Sequence, residues 1–299
     1  MSSIHLQPSA TDLSASKLTM TMLKHTFCHL PGIGPKKERG LWSRGWLTWD
    51  HVLNGSSRTG PSALARLQPS IARSLEELRR GNCRFFAANL PKSESWRLFE
   101  AFRDQTAYVD IETTGRGGGL DHITSIGLYD GNRVRTYVCG DNLEAFADDI
   151  LEYQLIVTFN GSCFDLPFLK KELCSDLPPA HIDLRFLLAS LGYRGGLKRC
   201  EKALGLDRGL LDGADGYLAV LLWEEYQATG DEDVLETLLA YNVEDVINLE
   251  TLLVEACNRK RAALPFASEP LQRPLAPGPN PYQPHLHVLD TYGHLFDRP

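Results

Sequence analysis

Apolar positions change their spacing at Thr106. Beyond it, Ala107-Tyr108-Val109-Asp110-Ile111-Glu112 reads as a strand, ended by Thr113-Thr114-Gly115 and a loop at Gly117-Gly118-Gly119. Ile123–Tyr129 and Arg133–Val138 predict two more strands, joined by Asp130-Gly131-Asn132, a turn suited to a hairpin. The pattern then predicts a helix around Leu143–Leu151, a buried strand at Leu155–Phe159, a helix over Asp165–Leu173 and a short strand at Ala180–Asp183. The stretch to about Arg259 is helical, with Leu235, Leu238, Leu239, Val246, Leu249 and Leu253 on one face of its last helix. Three strands in hairpin order, then alternation, then helices predict an α/β domain over 105–260, a mixed β-sheet flanked by helices.

Upstream the spacing is helical and interrupted. Residues 1–23 are rich in Ser and Thr and are expected to be a flexible leader. Residues 24–100 predict a small helical module: a helix over His25–His29, a turn at Pro31-Gly32-Ile33-Gly34-Pro35, and a helix from Lys36 to about Arg44. A linker from Asn54 to Pro61 and helices near 62–80 and 93–104 follow. Residues 261–299 are proline-rich and are expected to be an extended or disordered tail.

Composition narrows the class without naming it. The 299 residues are 43% hydrophobic and 23% charged, as in an ordinary globular protein. No apolar run is long enough for a membrane span, and the first residues lack the pattern of a signal peptide, so a cytoplasmic protein is the expectation. Seven scattered cysteines with no C-x-x-C pair predict reduced, mostly buried thiols rather than a zinc knuckle or a disulfide framework. The net charge of −7 is unevenly spread: residues 1–100 hold 14 Lys+Arg against 7 Asp+Glu, whereas residues 101–258 hold 12 against 28. A basic first third suits phosphates and an acidic remainder suits cations. The acids at Glu224, Glu225, Asp231, Glu232 and Asp233 read as a solvated helix face.

Three short segments carry candidate chemistry. Asp110 and Glu112 are two apart on a strand, so both carboxylates project from one face. Like charges on an otherwise apolar strand are expensive to bury unless a cation neutralises them. Asp165 follows the turn Phe159-Asn160-Gly161 and stands where a helix begins, a position that an N-cap would also occupy. Tyr241 and Asp245 are four apart on a helix and share a side. Each segment alone has an ordinary structural explanation; their joint occurrence in this order does not.

Taken together, D-I-E-T-T-G, N-G-S-C-F-D and Y-N-V-E-D resemble the three motifs of the DEDD exonuclease superfamily on the RNase H-like fold, in the subclass whose third motif is Y-x-x-x-D. The second motif and His181-Ile182-Asp183 are similar to the proofreading domains of family B polymerases. The set is closer still to a bacterial group of RNase H-like exonucleases termed YprB-like. The resemblance covers about residues 105–258. It implies two Mg²⁺ or Mn²⁺ ions, with Asp110 bridging both, Glu112 and Asp245 completing one and Asp165 holding the second. It also implies that Tyr241 orients the attacking water, and that nucleoside 5′-monophosphates leave a nucleic-acid 3′ end. Asn160, Thr113 and Thr114 are expected substrate contacts, while Asp183 is either a site member or a helix cap.

Leu30-Pro31-Gly32-Ile33-Gly34-Pro35-Lys36-Lys37 resembles the turn of a helix–hairpin–helix motif. Gly32 and Gly34 would let the backbone approach a phosphate, assisted by Lys36 and Lys37. A ligand-free packing module is the plainer reading of the same residues. His25 and His29 lack a matching ligand pair, and His285 and His287, in the proline-rich stretch, carry no pattern of their own. Three functions remain open: a 3′→5′ exonuclease on single-stranded or frayed ends, a non-catalytic nucleic-acid-binding module, and a nuclease that cleaves internally. The choice between DNA and RNA is open as well.

Overall fold

The computed structural model describes residues 21–54, 66–115, 117, 119–173, 176–214, 216–267, 269–274 and 280–296. The chain divides into two compact units, Met1–Arg103 and Asp104–Pro299. The expected linker lies mostly outside the described residues, as does the leader up to residue 20. Where that leader was expected to continue, Met22 and Leu23 are buried in a 3-10 turn, Met22–His25.

In the first unit, helices α1 (Pro35–Trp42), α2 (Trp49–Leu53), α3 (Gln68–Arg79), α4 (Cys83–Asn89) and α5 (Phe99–Phe102) surround a buried ion pair. Glu38 of α1 is fully buried, and its Oε1 accepts the amides of Phe27 at 2.6 Å and Cys28 at 3.0 Å. Arg97 Nη1 donates to both Glu38 oxygens at 2.9 Å. The indoles of Trp42 and Trp49 donate to the carbonyls of His25 and Thr26. These bonds explain why the helix expected over His25–His29 is instead a string of turns. Side chains have taken the amides and carbonyls that an i→i−4 ladder needs. The helix expected near 93–104 is likewise broken into 3-10 turns around the short α5.

The second unit is built on a five-stranded mixed sheet ordered β3-β2-β1-β4-β5. Its strands are β1 (Thr106–Thr113), β2 (Ile123–Tyr129), β3 (Val134–Val138), β4 (Leu155–Thr158) and β5 (Ala180–Asp183). β1 pairs antiparallel with β2 and parallel with β4, which makes it the central strand. Strand alternation sends Ala107, Val109 and Ile111 into an apolar cluster with Ile126, Leu128, Phe146 and Ile150. Phe146 belongs to α6 (Phe146–Asp149), a single turn flanked by 3-10 turns where a longer helix was expected. Asp110 and Glu112 therefore face the other way.

On that other face lies α11 (Glu232–Ala262), a helix of 31 residues and roughly 45 Å. It follows α7 (Asp165–Glu172), α8 (Leu184–Ala189), α9 (Leu197–Ala203) and α10 (Gly216–Thr229). α11 packs against β1, β2 and α10, so it is buried well beyond a single stripe. The proline-rich stretch is not extended throughout. Its α12 (Leu286–Thr291) buries Val288 and Leu289 against Leu218, Trp223, Leu238 and Tyr241, because the apolar residues between its prolines find a surface to cover. Among the described residues no helix is long and apolar enough to cross a membrane, and Cys28, Cys83, Cys200 and Cys257 are buried and in no disulfide.

Candidate active site

The site begins with a missing side chain. Gly127 of β2 sits opposite Asp110 of β1. A Cβ there would lie 3.2 Å from the backbone and side-chain oxygens of Asn242 and 3.3 Å from Val246 Cγ1. Glycine thus allows α11 to approach the sheet closely. At that approach Asn242 Nδ2 donates to Asp110 Oδ2 at 3.0 Å and to the Asp110 carbonyl at 3.4 Å, and Ser125 Oγ donates to Asn242 Oδ1 at 3.4 Å. With α11 fixed by Asn242, helical spacing sets Asp245 one turn later.

The result is convergence of three carboxylates. One oxygen each from Asp110, Glu112 and Asp245 lies within 4.8 Å of the others. Burial, with the charges of Asp245, Asp165 and Glu112, holds the Asp110 carboxyl well above the usual range. Burial and Asp245 raise Glu112 in the same sense, while Lys198 and Arg208 oppose the rise. Acids assembled so closely keep their protons unless cations arrive to replace them.

Asp165 is the first residue of α7 and is buried. It is not one of the three clustered acids, yet its charge acts on Asp110 and Glu112. Burial pushes its carboxyl up to about 7, while hydrogen bonds from backbone amides pull the other way. Its Oδ1 is buried without a hydrogen-bond partner among the described residues. A buried, unpaired carboxylate oxygen beside three acids is the donor arrangement that a hard divalent cation satisfies. The residues present therefore fit Mg²⁺ or Mn²⁺.

Positive side chains frame the acids. Arg208 donates to Asp245 Oδ1 and, at 2.8 Å, to Glu201 Oε2; Asn248 donates to the other Glu201 oxygen at 3.0 Å. Tyr241, fully buried, accepts a hydrogen bond from Lys198, whose ammonium also stands 4.4 Å from the ring centre. Burial, with Asp245 and Glu112 nearby, raises the Tyr241 phenol well above its ordinary value. Burial lowers Lys198.

The other expected residues are placed as follows. Thr113 and Thr114 are buried past a register shift after Glu112. The Thr114 amide donates to the His122 carbonyl and its hydroxyl accepts from the His122 amide, closing the loop between β1 and β2. Asn160 takes a left-handed turn at φ 71°, a conformation that asparagine tolerates, and its side-chain oxygen accepts from Arg185. Asp183 caps α8 through the Arg185 amide and also accepts the amides of Asn160 and Ser162, so it shapes the turn that delivers Asp165. In the first unit Gly32 has φ 73°, Gly34 precedes α1, Lys36 is exposed, and Lys37 Nζ bonds back to the Gly32 carbonyl at 2.7 Å.

Sequence reasoning missed Asn242, Lys198, Glu201 and Arg208. Asn242 lay inside the quoted third motif, three residues before Asp245, and helical spacing alone would have put it beside the acids. Lys198 and Arg208 carried only one signal, a basic character unusual in the acidic part of the chain.

The RNase H superfamily model matches residues 107–257, the segment that holds the five strands and all four acids. The chain belongs to the RNase H superfamily. Members of this superfamily are typically metal-dependent nucleases, and the acidic cluster fits that chemistry. The chain is 30% identical over 176 residues to the uncharacterised protein YprB of Bacillus subtilis (strain 168), a match covering 49% of this chain and 40% of that protein. The chain thus spans well under two thirds of that relative. A solved family B DNA polymerase from the hyperthermophilic archaeon Pyrobaculum calidifontis aligns at 16% identity over 52% of this chain and 24% of its own, with a TM-score of 0.41.

Proposed function

We propose that the Asp104–Pro299 unit is a two-cation 3′→5′ exonuclease acting on single-stranded or frayed nucleic-acid ends and releasing nucleoside 5′-monophosphates. The observation that carries this reading is the meeting of Asp110, Glu112 and Asp245 beside the unpaired oxygen of Asp165. Asp110 would be the shared ligand, Glu112 and Asp245 would hold one Mg²⁺ or Mn²⁺, and Asp165 the other. Such ions, when bound, polarise the scissile phosphate and make bound water a better nucleophile.

The protein's own groups then have distinct tasks. Arg208 fixes one oxygen of Asp245, and the second would be left to hold a cation. Tyr241 stays a neutral phenol and accepts from Lys198, which leaves its O–H to be donated toward the attacking water or a phosphate oxygen. It orients the reaction rather than removing the proton. Asn242 holds the Asp110 carboxylate in register with the helix. Thr113, Thr114 and Asn160 are proposed contacts for the terminal nucleotide, with the Thr114 hydroxyl already committed to His122. Phe164, an exposed ring next to Asp165, offers a face on which a base can stack. In the first unit, Gly32, Gly34, Lys36 and Lys37 are proposed to bind backbone phosphate.

The test uses matched 5′-labelled DNA and RNA strands with Mg²⁺, Mn²⁺ or EDTA, alongside circular single strands. A ladder shortening one nucleotide at a time from the 3′ end, absent in EDTA and on circles, is the expected result. Cleavage of circles would favour internal cutting, and binding without shortening would favour a non-catalytic module.

A further inference from the structure

The segment 280–296 assembles a second set of metal-ligand atoms that shares no residue with the carboxylate centre. Asp233 and Glu236 stand one turn apart at the start of α11, and His285 and His287 flank Leu286 where α12 begins. His287 Nε2 lies 3.5 Å from Asp233 Oδ2, and His285 Nδ1 lies 3.7 Å from the same oxygen. One ligand atom from each of these three residues falls within 4.8 Å of the others. A four-coordinate cation with bonds of about 2.0–2.1 Å sets its ligands somewhat over 3 Å apart. Both histidine-to-carboxylate separations are already near that value.

The decisive detail is the other nitrogen of His285. His285 Nε2 is 2.9 Å from Glu236 Oε2. A proton held between these two atoms leaves the Nδ1 lone pair facing Asp233, the carboxylate–histidine arrangement found behind metal-binding imidazoles. The competing arrangement is a doubly protonated His285 bridging two carboxylates. In that arrangement His287, whose ring stands 5.7 Å from that of His285, would be a second imidazolium sharing the one Asp233 carboxylate. An exposed ion pair would also contribute little by itself.

We propose that Asp233, His285 and His287 bind a divalent cation of the Zn²⁺ class, with Glu236 as the positioning residue and water completing the shell. Two imidazoles and one carboxylate favour zinc, nickel or copper over magnesium, whereas the all-carboxylate centre favours hard cations. The two sites are therefore chemically separable, and this one does not rest on the nuclease reading. Occupied, it would clasp 280–296 to α11, reinforcing the bonds from the His285 amide to Thr237 Oγ1 and from Asn280 to the Ala240 carbonyl.

The experiment is a Co²⁺ titration of the full chain in excess Mg²⁺, read by the visible absorption of a tetrahedral cobalt complex. One equivalent of signal, displaced by Zn²⁺, is expected. It should be lost in His287→Ala and Asp233→Asn, be weakened about tenfold to a hundredfold in affinity in Glu236→Gln, and persist in Asp110→Ala. Circular dichroism on the same samples checks that each variant is folded; His287 is exposed, so its replacement should not disturb the fold. No cobalt signal in the wild-type chain, a signal that survives both His287→Ala and Asp233→Asn, or one that disappears with Asp110→Ala would each overturn the proposal.

Discussion

Replacing Arg208 with methionine removes a buried charge while keeping most of the side chain's volume. Arg208 is 5% exposed and holds two carboxylates, Asp245 and the 1% exposed Glu201. Breaking a buried ion pair by deleting one partner costs about 3–5 kcal/mol, because the remaining charge has neither water nor a counterion. For a unit of this size each kcal/mol lowers Tm by about 2–4 °C, so a fall of roughly 6–20 °C is expected in EDTA. Mn²⁺ should restore part of the loss in Arg208→Met, since it compensates Asp245 but does not reach Glu201. Adding Glu201→Gln should recover a further part by removing the second orphaned charge. Thermal and denaturant unfolding, each with EDTA and with Mn²⁺, measures all of this. Stability of Arg208→Met within about 0.5 kcal/mol of wild type in EDTA would refute the reasoning.

Three other outcomes follow from the same geometry. Gly127→Ala should push α11 back from β1, costing about 1–3 kcal/mol and slowing single-turnover digestion several-fold though every acid is intact; unchanged turnover would contradict the close-approach argument. Tyr241→Phe should retain cation binding in a Mn²⁺ titration and slow digestion by about 10²-fold, a milder defect than loss of Asp110. His29, 3% exposed and bonded to Ser74 Oγ at 2.8 Å, has its imidazole lowered by burial from 6.5 to about 4. The unfolded chain therefore binds a proton that the folded chain refuses between those values. Its contribution, on the order of 3 kcal/mol, is present above pH 6.5 and lost as pH falls toward 4; His29→Gln should flatten that part of the unfolding profile.

The strands were legible because the sheet obeys a period of two. Asp110 and Glu112 stood out as charges on a strand whose alternate positions, Val109 and Ile111, were plainly core. The spacing of Tyr241 and Asp245 was legible for the same local reason. What stayed hidden depended on contacts distant in sequence. Arg208 reaches Asp245 across 37 residues and Asn242 reaches Asp110 across 132, and no local pattern announces either. The turns at His25–His29 defeated a helical reading because Glu38, Trp42 and Trp49 satisfy the backbone there. His285 and His287 gained meaning only when α12 folded onto α11, where Asp233 had looked like one more solvated acid.

Whether the carboxylate centre cuts nucleic acid is decided by digestion with Asp110→Ala. Wild-type protein and the variant, shown by circular dichroism to be equally folded, are given a 5′-labelled single strand in Mn²⁺. A 3′-shortening ladder is expected for the wild type and an intact strand for the variant. Equal digestion by both would mean that these carboxylates do not carry the chemistry.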